Sequence, residues 1–256
     1  MSLALLKYFT KKNWMIWAGV TAFMLFEVLV CIFLMEMIVE LTAQMGITTA
    51  DTPDGRPNGA FALKYVAELY PMMACLFPMV FFIMMAHKLL SKPVDNSSIS
   101  TFLSAGIKRT TYVATAAVFM AIAMVAMFTV LFVVCGLAML MWGSINRGAW
   151  LMVNFTFFMV NLAVAFICFA LSSIFAATKQ GLALTVAVPV LMMIFQMLSG
   201  FAEGFKYLTL YGWIDVSKII AGTFDLWWLY TLVFIAIAIA SAVVSIHVFN
   251  KKQLSI

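Results

Sequence analysis

From Tyr112 to Trp142 the chain runs for 31 residues without one charged side chain. A bilayer core about 30 Å thick needs about 20 apolar residues for one helical crossing. Wound as an α-helix, this run is about 46 Å long, so it must tilt or project beyond the hydrocarbon. Five more apolar segments accompany it, and the spans are read at about 14–38, 70–89, 112–142, 151–176, 182–198 and 226–249. Composition agrees: 66% of residues are hydrophobic and 10% charged, against about half and a quarter in a soluble domain. The expected fold is an all-α integral membrane protein, one transmembrane domain over residues 1–256. No stretch has the composition of a separate soluble catalytic domain.

Charge sidedness orients the spans. With the N-terminus inside, the inner side holds Lys7, Lys11, Lys12, Lys88, Lys92, Lys108, Arg109, Lys179, Lys251 and Lys252. The outer side holds Arg56, Lys64, Arg147, Lys206 and Lys218. That excess predicts both termini in the cytoplasm of a multi-pass cell-membrane protein. Residues 2–13 place Leu3, Leu6 and Phe9 on one side and Lys7 and Lys11 on another, the pattern of a short interfacial helix ahead of the first span. The apolar run that follows is too long for the core of a cleaved signal. Thr52 to Gly59, within an outer loop around 44–67, is turn-rich, and a tight turn is expected around 143–148. The aromatic segment 199–225 is interrupted by Gly200, Gly204, Gly212 and Gly222, which suits short interfacial or re-entrant helices before the last span. Pro71, Pro78 and Pro189 predict kinks.

Several functions are disfavoured. Cys31, Cys75, Cys135 and Cys168 sit in separate apolar runs with no Cys or His at ligand spacing, so they read as small buried hydrophobes and no metal site is expected. His87 and His247 lack a nearby carboxylate, and neither a zinc-protease H-E-x-x-H nor a G-x-S-x-G elbow occurs. No Gly-Lys dipeptide exists, so the phosphate-cradling G-x-x-x-x-G-K-[ST] loop is missing. No basic stripe with interleaved aromatics suggests nucleic acid.

Polar residues inside the spans are the candidates that remain. Glu27 lies 13 residues past Trp14, roughly 20 Å into the membrane. A bare charge there costs about 2.5 kcal/mol or more. Protonation, a hydrogen bond to a group such as Asn161, or a wet central pathway would each relieve it. Asn154 and Asn161, seven residues apart, share one side of span four, and Gln196 lies in span five. Such amides act either as glue between helices, worth about 0.6 kcal/mol each, or as substrate contacts. Glu27, Asn154, Asn161 and Gln196 are therefore candidates for a translocation pathway or dimer seam.

The inner loop SKPVDNSSISTFLSAGIKR carries the most specific pattern. Pro93 is expected to stop the preceding helix, with Asp95, Asn96 or Ser97 as N-cap and Gly106 as the C-terminal stop. Ile99, Phe102 and Leu103 fall at i, i+3 and i+4, on one helical face. A short cytoplasmic helix with such a face either lies on the membrane or docks a partner. Here a resemblance enters. Thr101 to Arg109 resembles the coupling segment of type-2 ABC transporter permeases, whose fLLSxPisR-like run precedes the third span, although the family's proline is absent. The ending Phe249-Asn250-Lys251-Lys252-Gln253-Leu254 is similar to the family's F-x-(K/R)-(K/R)-(D)-L, and Phe205 to Asp215 resembles its extracellular segment before the last span.

The resemblance implies a permease subunit of an ATP-driven exporter, paired with a second copy of itself or a similar permease. Two separate cytoplasmic ATPase subunits would bind ATP and Mg, leaving this chain without a cofactor or enzymatic activity of its own. Coupling would pass through residues 96–105, with Ile99, Thr101, Phe102 and Leu103 as ATPase contacts. The apolar spans suit a hydrophobic or amphipathic cargo (a peptide, a drug or a lipid-like molecule). Small members of the family often export antimicrobial or amphipathic peptides or give immunity to them. The alternatives are a non-transporting membrane scaffold or toxin-immunity protein and, behind it, an intramembrane enzyme.

Overall fold

The computed structural model describes residues 2–44, 74–140, 147–176, 179–199 and 201–251. These residues hold helices and no strand. In order they form α1 (Leu3–Gln44), α2 (Ala74–Asp95), α3 (Ile99–Ser104), α4 (Arg109–Met139), α5 (Arg147–Ile174), α6 (Lys179–Leu198), α7 (Val216–Ala221) and α8 (Trp227–Lys251). Two 3-10 turns, Glu203–Leu208 and Tyr211–Trp213, lie between α6 and α7. Six of the helices, α1, α2, α4, α5, α6 and α8, are long and apolar enough to cross a membrane. The chain is a helical multi-pass membrane protein. The expected outer loop with Arg56 and Lys64, the start of the second span with its expected kink at Pro71, and most of the turn around 143–148 fall outside the described residues.

Two expectations need correction. The interfacial helix is not set apart from the first span, because α1 runs unbroken for 42 residues, roughly 63 Å. No Gly or Pro interrupts it before Gly19, and its polar side chains turn back on the helix: Thr10 Oγ1 donates to Leu6 O and Asn13 Nδ2 to Phe9 O. Its packed face is also rotated from the expected one. Leu3 is 77% exposed, whereas Leu5 and Phe9 are buried, and Phe9 meets Tyr112 of α4 edge-on at 5.6 Å. The second correction concerns Pro93. It does not end α2, which passes through a π-helical turn at His87–Ser91 and continues to Asp95.

The core gathers around α5, which is buried from Ala149 to Ser173 along one broad face and packs most extensively on α8. Small residues on that face, Ala163, Ala170, Ser172 and Ser173 among them, let neighbouring backbones approach closely. Ser173 Oγ reaches Ser245 O of α8 at 2.9 Å. At the other end Trp150 Nε1 donates to Phe132 O at 3.2 Å. Gly136 makes room for that indole, since a Cβ there would stand 3.1 Å from Nε1.

Three prolines lie inside described helices, and all three follow one rule. A proline supplies no N–H to the carbonyl four residues back, and a membrane interior offers no water to replace it. For Pro78 that carbonyl is Ala74 O, which accepts from Asn161 Nδ2 of α5 at 2.9 Å. For Pro93 it is Leu89 O, which accepts from Tyr112 Oη of α4 at 3.0 Å. For Pro189 it is Thr185 O, which lies 3.6 Å from the Cys168 thiol of α5. Each side chain ties a proline-bearing helix to a neighbour. Tyr112→Phe is accordingly expected to cost about 1 kcal/mol in micelle unfolding. It should cost distinctly less beside Pro93→Ala, because alanine returns a backbone donor. Equal costs in both backgrounds would break the link.

Candidate functional site

A polar cavity is built by the segment that glycines interrupt. Asp215 stands in extended backbone ahead of α7, and its Oδ1 accepts from Lys218 N at 3.2 Å, capping the helix. Its Oδ2 faces two ammonium groups, Lys206 Nζ at 3.8 Å and Lys218 Nζ at 3.5 Å. Gly222, at φ 70°, closes α7 in the left-handed conformation that glycine favours. Gly212 lets the two 3-10 turns lie against each other, because a Cβ there would run into the Lys206 carbonyl. Tyr211 is buried between the turns and α5 and donates to Asn161 Oδ1 at 3.3 Å. Burial holds its phenol well above the ordinary range, so the hydroxyl keeps the proton it donates.

These groups enclose a cavity of about 540 Å³ lined by Gln196, Ser199, Lys206, Tyr207, Tyr211 and Asp215 among others. That volume lies within the range of small-molecule sites. Two ammonium groups against one carboxylate leave the cavity positive. Gln196 Oε1, buried at its wall, has no hydrogen-bond partner among the described residues. The arrangement suits a ligand with an anionic group for the lysines and a donor for Gln196. Among the described residues no cluster of three His, Cys, Asp or Glu forms a metal-binding group.

The four intramembrane candidates do not converge in one cavity. Gln196 lines the site just described. Asn161 stands behind its wall with its amide committed to Ala74 O, Phe157 O and Tyr211 Oη. Asn154 lines a separate groove of about 250 Å³ between α4 and α5, with Nδ2 buried and unpartnered among the described residues. Seven residues set the two amides on one face of α5, but each meets a different neighbour. Glu27 is half-buried on α1 and lines neither cavity. It has no hydrogen bond or ion pair among the described residues. Sequence reasoning passed over Tyr211 and Asp215 and counted Lys206 and Lys218 only as outer charges. The available signal was three charges within 13 residues of a glycine-broken aromatic segment.

The inner-loop helix sits differently from its sequence expectation. Ile99 is buried, and Phe102 and Leu103 are half-buried. Phe102 packs edge-on against Tyr8 of α1 at 5.7 Å and tilted against Tyr112 of α4 at 5.4 Å. The apolar face expected to stand outward for a partner is turned inward. The cause is the chain reversal after α2, where Ser97 adopts φ 53°. Ser98, not Asp95, Asn96 or Ser97, occupies the N-cap position, and Gly106 at φ 79° ends the turn as expected. Thr101, Ser104 and Ala105 form the exposed side.

Comparison with family models, curated proteins and solved structures finds no match for this chain.

Proposed function

We propose that this chain is the membrane-spanning permease subunit of an ATP-driven exporter, working with a second permease and two cytoplasmic ATPase subunits that carry ATP and Mg. The reading rests on the sequence resemblance at Thr101 to Arg109, Phe205 to Asp215 and Phe249 to Leu254. One structural observation supports it most. The short helix α3 joins α2 to α4 in sequence and holds the start of α1 through Phe102 and Tyr8. A push on its exposed side at Thr101 and Ser104 would be passed to three spans together. In this reading α3 and both termini face the cytoplasm. The cavity of Lys206, Asp215 and Lys218 then opens on the outer side, where an amphipathic cargo would present its polar end on leaving.

Glu27 belongs to the pathway or dimer seam in the same reading. A wet environment, or a partner's donor across a seam, would offset the roughly 2.5 kcal/mol cost of a charge at that depth. Glu27→Gln is expected to insert at least as well as the parent and to slow transport. Parental transport and ATP hydrolysis across pH 5–8 would leave the carboxylate a packing role only.

The test of the function is reconstitution. Purification in mild detergent should retain a subunit with a phosphate-cradling G-x-x-x-x-G-K-[ST] loop. In liposomes the complex should hydrolyse ATP faster when amphipathic peptides are added. A chain that protects cells from a toxic peptide with no nucleotide-binding subunit in its complex would establish the scaffold or immunity reading instead.

A further inference from the structure

A second polar cavity, of about 200 Å³, lies between the first turns of α1, the end of α2 and α3. Lys12 and Lys88 line it together with Asn13, Ser98 and Thr101, and no carboxylate does. Lys92 stands one turn beyond Lys88 on α2. Asn13 is 1% exposed. Its Nδ2 is fixed on Phe9 O at 2.8 Å, which leaves Oδ1 as a buried acceptor with no partner among the described residues. Lys12 Nζ is steadied over the Tyr8 ring and donates to its hydroxyl at 2.9 Å. This site needs a ligand that is negative toward the lysines and donates a hydrogen bond toward Asn13.

We propose that the cavity binds the headgroup of an anionic, hydroxyl-bearing phospholipid of the phosphatidylglycerol type. The phosphodiester would lie between Lys12 and Lys88, and a glycerol hydroxyl would donate to Asn13 Oδ1. An ammonium headgroup carries a donor as well, but it would meet two like charges. Depth argues for a lipid as the source. Trp14 and Met15, which directly follow the site on α1, are 53% and 70% exposed. An exposed Trp beside lysines marks the level where headgroups meet acyl chains, and basic pockets between spans at that level hold anionic headgroups. The inference does not depend on the export reading, since it needs only the membrane fold and the cavity.

The experiment uses the full chain in a neutral detergent, with bound lipid read by native mass spectrometry and stability by thermal unfolding. Phosphatidylglycerol should be retained and should raise the midpoint, while phosphatidylcholine should do neither. Lys12→Gln with Lys88→Gln should lower retention roughly thirtyfold, as expected for two lysines each contributing to anionic-lipid attraction. Ser98→Asp, which adds a carboxylate to the lining at an exposed position, should lower it as well. Undiminished retention in folded Ser98→Asp protein would overturn the site, as would equal stabilisation by phosphatidylcholine. Equal protection by soluble glycerol phosphate at matched concentration would overturn the lipid assignment and leave a free anion as the ligand.

Discussion

Asn161→Leu is expected to destabilise the folded chain by about 3 kcal/mol, as measured by denaturant unfolding in micelles. Interhelical polar contacts in membranes average only about 0.6 kcal/mol each, so the two lost ties to Ala74 O and Tyr211 Oη alone give about 1. The remainder comes from what is left behind. Ala74 O loses the donor that replaces the N–H missing at Pro78, and the Tyr211 hydroxyl loses its acceptor, both in a buried setting. Orphaned buried groups cost about 1–3 kcal/mol. The origin can be separated by rescue. Pro78→Ala returns an N–H to Ala74 O, and Tyr211→Phe removes the stranded hydroxyl. Both should be milder in the Asn161→Leu background than in the parent. Simple additivity of all three substitutions would show that the contacts are geometric coincidences.

Under the proposed export function, Phe102→Asp is expected to reduce substrate-stimulated ATP hydrolysis and transport by at least about tenfold, a change that needs only about 1.4 kcal/mol. Phe102 contributes two ring contacts, to Tyr8 and Tyr112, each worth about 0.5–1.5 kcal/mol beyond burial. A carboxylate between those rings loses both and is poorly solvated, so α3 should detach from α1 and α4. Phe102→Leu keeps the apolar bulk and should retain most coupling. Ser104→Arg probes the exposed side of the same helix, away from the cavity that Thr101 and Phe102 line: it should leave unfolding unchanged and weaken retention of the proposed ATPase subunit. If Ser104→Arg and Phe102→Asp both left the complex and its transport intact, α3 would have no coupling role.

The α3 segment also shows where local pattern stops being informative. Ile99, Phe102 and Leu103 were legible as one apolar face, because helical periodicity is a property of adjacent residues. Whether that face points to a partner or into the chain depends on the reversal at Ser97 and on where α1 and α4 stand. The two asparagines make the same point. Their common face on α5 follows from a spacing of seven, yet Asn161 is consumed in three bonds while Asn154 has a free amide hydrogen donor. The cavity at Asp215 was hidden for a related reason. Its lysines are contributed by a 3-10 turn and by α7, and only the packing of the two turns against Gly212 brings them to one carboxylate.

The sequence by itself determined the number of apolar helices long enough to cross a membrane, because bilayer thickness imposes a length and an apolar composition on each segment separately. The first two helices run well past the ends that hydropathy gave them. The sequence also determined which carbonyls Pro78 and Pro189 would deprive of a donor, since in an α-helix that carbonyl lies four residues back. For Pro93, read from the sequence as a helix stop and preceded by a π-helical turn, the structure was needed. Only the tertiary structure decided what would satisfy those carbonyls. Asn161, Tyr112 and Cys168 lie 87, 23 and 17 residues from the oxygens they reach, and no local periodicity encodes such a pairing. In an apolar medium the hydrophobic effect does not choose between helix neighbours. Close packing and the need to satisfy every polar group make that choice, and both are properties of the assembled bundle.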